Sequence, residues 1–163
     1  MNLEKKAFLI VLVFCMVAMF ASVFGYSPYI DANNINGRLD IEGVRLLMGK
    51  DAVEKLLGKG SPVGGFGAEF FEYDEAKVSV TYPLEGLLRG KAGAISISDP
   101  KYSICGIHGG ATIDEAKPIL EKQGFRQIMP DRNLFRKGSV TVYISGKTVG
   151  ISVEDWTMKG RVY

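Results

Sequence analysis

The sequence predicts an α+β protein in which two tandem repeats, each a helix followed by an antiparallel meander, come after an N-terminal apolar helix. Three observations predict this fold class. Residues 49–54 and 110–115 carry the same helix-start pattern, about 61 residues apart. Residues 78–82 and 140–144 are Val-rich alternating segments, about 62 residues apart. Alternating segments follow each helix start in the same order, which indicates an internal repeat.

Each predicted helix begins at a capping box. In such a box, a side-chain oxygen at the N-cap accepts from an amide of the first turn, and a Glu three residues later reaches back to the amide of the cap. Asp51 and Thr112 have this relation to a following Glu. Apolar residues continue at helical spacing after both positions, and Gly58 and Gly124 then end the helices in the left-handed conformation.

Strands are predicted where apolar and polar residues alternate after each helix. The predicted strands cover residues 68–73, 77–82 and 94–98 in the first half, and 125–129, 135–144 (with a turn at 137–138) and 149–153 in the second. Val78 and Val80 share one parity, as do Val140 and Val142, while hydroxyl residues take the other. This alternation is typical of a sheet with one buried face, so the helices are expected on that one face of the sheet.

The chain divides into four predicted segments. Residues 1–25 form a signal peptide or signal anchor, 26–38 a spacer, 39–99 the first α+β repeat and 100–163 the second. Residues 26–38 are rich in Ser, Pro, Asn and Gly, a composition typical of a linker. Order is therefore expected to begin near Leu39.

The N-terminal segment predicts export. Lys5 and Lys6 precede an unbroken apolar run at residues 7–25, which is about 19 residues long and so just sufficient to span a bilayer as a helix. The run is either a cleaved signal peptide or a retained anchor, and the sequence leaves both open. Because the lysines mark the inner side, either outcome places the rest of the chain outside the cytoplasm, membrane-anchored through residues 7–25 or secreted.

Residues 106–116 carry the spacing G-I-x-x-G-x-T-x-x-E-A, and residues 43–54 match it more loosely. This pattern resembles the motif of small bacterial envelope domains of the SmpA/OmlA and β-lactamase-inhibitor-protein-like group. The resemblance covers roughly residues 41–153. It implies α+β units whose helices pack on one face of an antiparallel sheet, two in tandem in the inhibitor protein, with the open face gripping a protein partner. The usual Leu-Gly-x-Pro ending of the family is altered here, since Pro62 comes late after Gly58.

Composition excludes several classes of function. The chain has 163 residues, of which 47% are hydrophobic, and its formal net charge is only +2. Basic and acidic residues are interspersed, so no nucleic-acid partner is expected. His108 is the only histidine, which leaves no His-based catalytic triad and no multi-histidine metal site. Neither a metal nor a cofactor is predicted.

Two residues leave an enzymatic alternative open. Cys105 is the one cysteine outside the apolar run, and it is either a thiol nucleophile or, as its apolar surroundings favour, a small buried hydrophobe. Ser98 stands three residues before Lys101, a spacing used by penicillin-recognising serine enzymes. The intervening Asp99-Pro100 predicts a turn, whereas such a serine requires a helix. The chain is therefore predicted not to be an enzyme, with a small hydrolase as an alternative.

The face of the sheet away from the helices supplies the candidate site. If the Val-rich positions point inward, parity sends a set of aromatic and hydroxyl residues outward. The predicted partner-binding residues are Phe70, Tyr143, Trp156, Thr141 and Thr81. Tyr and Trp provide large contact areas with few rotatable bonds, which favours protein binding at such a surface.

Together these features predict an exported, non-catalytic interaction module of the bacterial cell envelope. It is expected to bind an unknown envelope or extracellular protein through the open sheet face, and to be membrane-tethered if the apolar run is retained. The alternative is a structural or sensory ectodomain with no dedicated binding face.

Overall fold

A computed structural model describes residues 28–65 and 67–158 of the chain. The predicted signal or anchor at 1–25, with its N-terminal helix, lies outside these residues. Within them the fold is α+β, with three α-helices and a sheet of eight antiparallel strands. The helices are α1 (Pro28–Asn36), α2 (Lys50–Leu57) and α3 (Ile113–Lys122). None of these described helices is long and apolar enough to cross a bilayer.

The strands form one large and one small sheet. They are β1 (Leu39–Asp40), β2 (Ser61–Pro62), β3 (Ala68–Tyr73), β4 (Val78–Pro83), β5 (Ala94–Ile97), β6 (Ser103–Ile104), β7 (Ile107–His108), β8 (Arg126–Met129), β9 (Leu134–Lys137), β10 (Val140–Ser145) and β11 (Thr148–Val153). Short 3-10 helices cover Pro130–Arg132 and Trp156–Met158. Every strand segment predicted from alternation is confirmed to within two residues at its ends. The short strands β1, β2, β6 and β7 were not predicted, because two residues carry no periodicity.

The large sheet has the strand order β2-β3-β4-β5-β11-β10-β9-β8. Strands β2 to β5 form one meander and β8 to β11 another, and the two meet where β5 pairs with β11. Helix α2 immediately precedes the first meander and α3 the second. Strands β1, β6 and β7 form the small sheet.

The core lies on one face of the large sheet. Val80 pairs directly with Phe71 on one side and Ile95 on the other, and this row of buried side chains continues through Ile151 and Val142. The buried apolar residues of the helices belong to the same cluster, namely Ala32, Ile35, Val53, Ala116 and Leu120. The predicted parity of the Val-rich strands is therefore confirmed.

The predicted spacer is wrong from Pro28 onward. Residues Pro28–Asn36 form α1, with Ala32 and Ile35 buried in the core. Two long-range hydrogen bonds hold this helix: Ser139 N donates to Asp31 Oδ2 at 2.7 Å, and Tyr29 Oη donates to the Leu87 carbonyl at 2.6 Å. Because these partners lie far away in the sequence, the polar local composition gave no sign of the helix.

The two helix starts are not equivalent. Helix α2 is capped by Gly49, with no side-chain hydrogen bond, and Asp51 lies exposed in its first turn. The capping box predicted at Asp51 is therefore wrong. Gly49 forms an isolated β-bridge with Lys91, so the chain enters α2 directly from an extended pairing and the helix begins two residues earlier than expected.

The second helix start is confirmed. Thr112 caps α3: Glu115 N donates to Thr112 Oγ1 at 3.4 Å, and Thr112 N donates to Glu115 Oε2 at 2.8 Å. At Gly58, ψ of −171° lies outside the left-handed helical conformation that the sequence predicted for this cap. The helix ends themselves lie where predicted, since Gly58 and Gly124 follow α2 and α3, both with φ of 84°. This left-handed region is one that side-chain-bearing residues rarely adopt.

Both edges of the large sheet are interrupted. On β2, the Val63 amide donates inward to the Phe70 carbonyl at 2.9 Å. Alternation then makes position 62 face outward, where proline offers no N–H to another strand. On β8, a register shift between Gln127 and Met129 breaks the regular ladder. Bulges and prolines of this kind discourage pairing with a further strand.

The capping difference predicts different responses to alanine. Thr112→Ala removes the cap of α3 and is expected to lower the free energy of unfolding by about 1 kcal/mol. Asp51→Ala removes no cap and is expected to change it by less than about 0.5 kcal/mol. Urea unfolding followed by circular dichroism measures both. Equal losses in the two variants would contradict the assignment of Gly49 as the N-cap of α2.

Candidate partner-binding face

The face of the large sheet opposite the core carries two rows of directly paired residues. The first, called the Phe70 row, comprises Val63, Phe70, Thr81, Ala94, Ser152, Thr141, Arg136 and Arg126. The second, called the Tyr143 row, comprises Ser61, Glu72, Ser79, Ser96, Gly150, Tyr143, Leu134 and Met129. Each row crosses all eight strands, so the two meanders contribute to one continuous surface.

The structure brings four of the five predicted site residues onto this face. Phe70, Thr81 and Thr141 stand in the Phe70 row, and Tyr143 stands in the neighbouring row. Trp156 begins the 3-10 helix just beyond β11, and its side chain is outside the described part of the structure. Parity reasoning therefore assigned the four strand residues to the correct face.

Exposure on the face is uneven. Phe70 is 39% exposed and Tyr143 is half-buried, but Thr81 is only 8% exposed and Thr141 is fully buried. The expectation that both threonines offer contact surface is therefore wrong. Directly paired side chains stand about 5 Å apart, so the much larger Phe70 shields Thr81 beside it.

An ion pair accounts for the burial of Thr141. Arg136 on β9 and Glu154, just beyond β11, lie on opposite sides of β10, and their Nη2 and Oε2 atoms are 3.0 Å apart. The pair must therefore cross over β10 on the face that carries Thr141. Three buried polar atoms at this crossing have no hydrogen-bond partner among the described residues: Nε of Arg136 itself, Thr141 Oγ1 and Ser152 Oγ. A buried polar atom left unpaired costs about 1 to 3 kcal/mol.

Gly150 is a further residue of the face that sequence reasoning missed. It pairs directly with Tyr143, and a Cβ added at Gly150 would overlap the Tyr143 ring. The ring therefore lies flat against the glycine backbone of the next strand. A glycine inside an otherwise Val-rich strand was the available signal, since such a position often marks a close approach.

Side-chain size varies systematically across the face. The central strands carry Ala94, Ser96, Gly150 and Ser152, all small. Larger apolar side chains stand toward both edges: Val63 and Phe70 at one, and Tyr143, Leu134 and Met129 at the other. Of these, Val63, Phe70 and Met129 are exposed. The face therefore has small, mostly buried side chains at its centre and larger apolar side chains toward its edges, where Glu72, Arg126 and Arg136 also stand. This arrangement is here called the trough.

The hairpin of β6 and β7 carries the residues that could have indicated thiol or histidine chemistry. Cys105 and Gly106 form its turn with φ of 54° and 77°, the conformation of a two-residue hairpin. Cys105 is 1% exposed, as predicted for a buried hydrophobe, and burial raises its pKa to about 11. His108 is exposed, with Nδ1 2.9 Å from the Pro100 carbonyl, to which it donates.

Ser98 and Lys101 are not arranged as a serine nucleophile and its lysine. Ser98 follows strand β5 in a loop, as the Asp99-Pro100 dipeptide predicted. Lys101 Nζ lies 3.3 Å from Glu42 Oε1 and 4.5 Å from the centre of the Tyr102 ring. Among residues 28–65 and 67–158, no group of three or more His, Cys, Asp or Glu could hold a metal ion.

Comparison with protein-family models, with curated proteins and with solved structures finds no match for this chain. The geometry of the sheet face therefore carries the functional assignment by itself.

The contact between Gly150 and Tyr143 predicts a coupled effect. Gly150→Ala forces the Tyr143 ring to move, and overpacking of this kind is expected to destabilise the fold by about 1 to 3 kcal/mol. In a Tyr143→Ala background the same substitution should cost much less, because the ring it meets has gone. Chemical denaturation of the four proteins of this double-mutant cycle gives the coupling. Additive losses would show that the ring does not rest on Gly150.

Burial of Cys105 predicts slow alkylation in the folded chain. A rise in pKa from 9.0 to about 11 lowers the thiolate fraction roughly a hundredfold below pH 9. In a Cys15→Ser variant at pH 8, iodoacetamide is therefore expected to modify Cys105 about a hundredfold more slowly in buffer than in urea. Equal rates in the two solvents would show an accessible, reactive thiol.

Proposed function

We propose that the chain is a non-catalytic interaction module of the bacterial cell envelope that binds a protein partner through the open face of its large sheet. The observation that carries this proposal is the trough with apolar flanks, in which Phe70 stands at one side and Tyr143 at the other. Aromatic anchors in this arrangement are typical of the centre of protein interfaces.

The size of the face fits a protein partner. Eight strands have seven spacings of about 4.8 Å, which gives a width of roughly 34 Å. Along the strands, four to six residues at about 3.3 Å each give roughly 13 to 20 Å. The resulting area of roughly 450 to 700 Å² approaches the 800 Å² or so that each partner buries in a standard interface.

The chemistry of the face also favours binding. The Tyr143 ring packs on Gly150 and so has little freedom to lose on binding. The raised pKa of Cys105 argues against the alternative of a thiol enzyme, because it keeps the thiol protonated at neutral pH.

We also propose that residues 39–99 and 100–163 are two copies of one unit, with the helices of both on one face of the sheet. The common order of helix and four-strand meander in each half supports this. It is the arrangement implied by the resemblance to SmpA/OmlA and β-lactamase-inhibitor-protein-like domains, so that resemblance remains part of the proposal. The extracytoplasmic location rests on the sequence of residues 1–25.

Site-specific crosslinking tests the proposed face. A photoreactive phenylalanine analogue placed at Phe70 or Tyr143 is expected to give a discrete crosslinked product in intact cells, from which the partner is identified by mass spectrometry. The same analogue at Lys117, exposed on α3, should give none of that product. Products of the same mass from all three positions would indicate no dedicated face, as expected of a purely structural or sensory ectodomain.

Affinity measurements with the identified partner then test the anchors. Phe70→Ala with Tyr143→Ala is expected to weaken binding by about 2 to 4 kcal/mol, or roughly 30-fold to 1000-fold, if each anchor contributes as interface aromatics usually do. Leu56→Ala is the matched control, because Leu56 on α2 is 40% exposed, close to the exposure of Phe70, but lies away from the face. Unchanged affinity in the double variant would refute the proposal.

A further inference from the structure

Exposed apolar side chains gather at one end of the molecule, here called the proximal end. It is formed by residues 63–65, 67, 84–93, 138–139 and 154–158 together with the start of α1. Eight large apolar residues of the described chain are more than a third exposed. Ile30, Leu84 and Leu87 lie in these segments, and Val63 and Phe70, which also stand on one flank of the trough, lie in or beside them. This concentration needs an explanation, because exposed apolar patches usually mark a contact surface.

Hydrogen bonds show that the proximal segments form one surface. The Leu84 amide donates to the Gly67 carbonyl at 3.2 Å, which links the loops on either side of β3 and β4. The Leu87 amide donates to Asp155 Oδ2 at 2.6 Å, and the Leu87 carbonyl accepts from Tyr29 Oη. The loop at 84–93 is thus fixed both to the segment after β11 and to the first turn of α1.

The opposite, distal end has a different chemistry. Its turns join β3 to β4, β8 to β9 and β10 to β11, and they present charged side chains. Those that are exposed in these turns are Asp74, Glu75, Lys77, Asp131, Arg132 and Lys147. The proximal end therefore carries most of the exposed large apolar residues, while the distal turns carry charged ones, with Ile128 and Met129 exposed beside the turn between β8 and β9. The two ends are separated by the length of the strands, about 20 Å for six residues.

The position of the apolar run decides which surface the proximal end meets. The run ends at Gly25, and the part of the chain that the structure describes begins at Pro28 in α1. Three residue steps span at most about 11 Å, so Pro28 cannot lie farther than that from the end of the run. The headgroup layer of a bilayer is itself about 5 to 8 Å thick on each side. A retained anchor would therefore hold the proximal end against the membrane surface.

The polar residues of the proximal end suit this contact. Arg89 is exposed in the same loop, and Lys91 Nζ lies 6.0 Å from the centre of the Tyr29 ring. Basic residues beside an interfacial tyrosine are typical of the headgroup level of membranes. The exposed carboxylate of Glu85 offsets one of the two positive charges, so the apolar contact is expected to dominate over attraction to anionic lipid.

We propose that the proximal end rests on the lipid bilayer that holds residues 7–25, with Leu84 and Leu87 inserted at headgroup level. The strands then stand away from the membrane, and the trough on the sheet face is open to the side. This inference rests on the membrane-tethered form of the proposed function. It does not depend on what the trough binds.

Depth-dependent quenching in vesicles tests the orientation. The full-length chain, carrying Cys15→Ser, is reconstituted into vesicles of phosphatidylcholine and phosphatidylglycerol. A fluorophore is attached at Glu85→Cys on the proximal end or at Lys147→Cys on the distal end, and the buried Cys105 stays unlabelled. Lipids with a nitroxide at the headgroup are expected to quench the label at position 85 strongly and the label at position 147 not at all.

A second variant identifies the residues responsible. Leu84→Ser with Leu87→Ser is expected to weaken the quenching at position 85, because the anchor still keeps this end near the bilayer but the inserted side chains are gone. Leu56→Ser on the surface of α2 should leave the quenching unchanged. Equal quenching in the double variant and the parent chain would refute insertion of Leu84 and Leu87. Thermal melting of each variant checks that the fold is retained.

The outcomes separate this inference from the proposal on which it rests. If the chain fails to float with the vesicles, tethering is refuted and the orientation with it. If it floats but the two labels are quenched equally, or the label at position 85 is not quenched, the orientation is refuted and tethering stands. Neither result affects partner binding at the trough, which the crosslinking at Phe70 and Tyr143 measures separately.

Discussion

The pairing of β5 with β11 is the contact on which the rest of the structure depends. Four residue pairs join the two meanders. Two of these pairs, Ile95 with Ile151 and Ile97 with Val149, are buried on the core face. Without this pairing, each meander would present a bare edge of apolar strand. With it, the two meanders and the three helices share one core, and the rows on the opposite face run unbroken from one half to the other.

The fold could be predicted from sequence where the determinant was local. Alternation located the strands, and Thr112 located the start of α3, because both signals lie within a few residues of the structure that they specify. Helix α1 escaped prediction because its stability comes from partners such as Ser139, which is 108 residues from Asp31. The capping box predicted at Asp51 is wrong because the start of α2 is set by the bridge between Gly49 and Lys91, which is a tertiary contact.

The candidate site also combines features that have a local determinant with features that depend on long-range contacts. Parity alone assigned Phe70 and Tyr143 to the correct face, since a side chain in a strand has only two directions. The packing of the Tyr143 ring on Gly150 and the burial of Thr141 both depend on which residues pair across neighbouring strands. A single sequence does not specify that register, so neither feature could be read from it.

The strip around Thr141 shows that the face is not optimised for stability. The Arg136–Glu154 pair is partly exposed, so it contributes little, while the polar atoms beneath it are buried and unpaired. Apolar residues of similar size would remove that cost. Local conflicts of this kind are expected where a surface serves a purpose other than folding.

The interrupted edges have a consequence for how the protein behaves when crowded. Pro62 has no backbone N–H to donate at one edge of the sheet. At the other edge, the register shift in β8 interrupts the regular ladder of backbone hydrogen bonds. Neither edge therefore presents a regular row of free N–H and C=O groups, so neighbouring copies are not expected to join their sheets into a fibril. Many copies can therefore lie side by side in one layer and remain separate molecules.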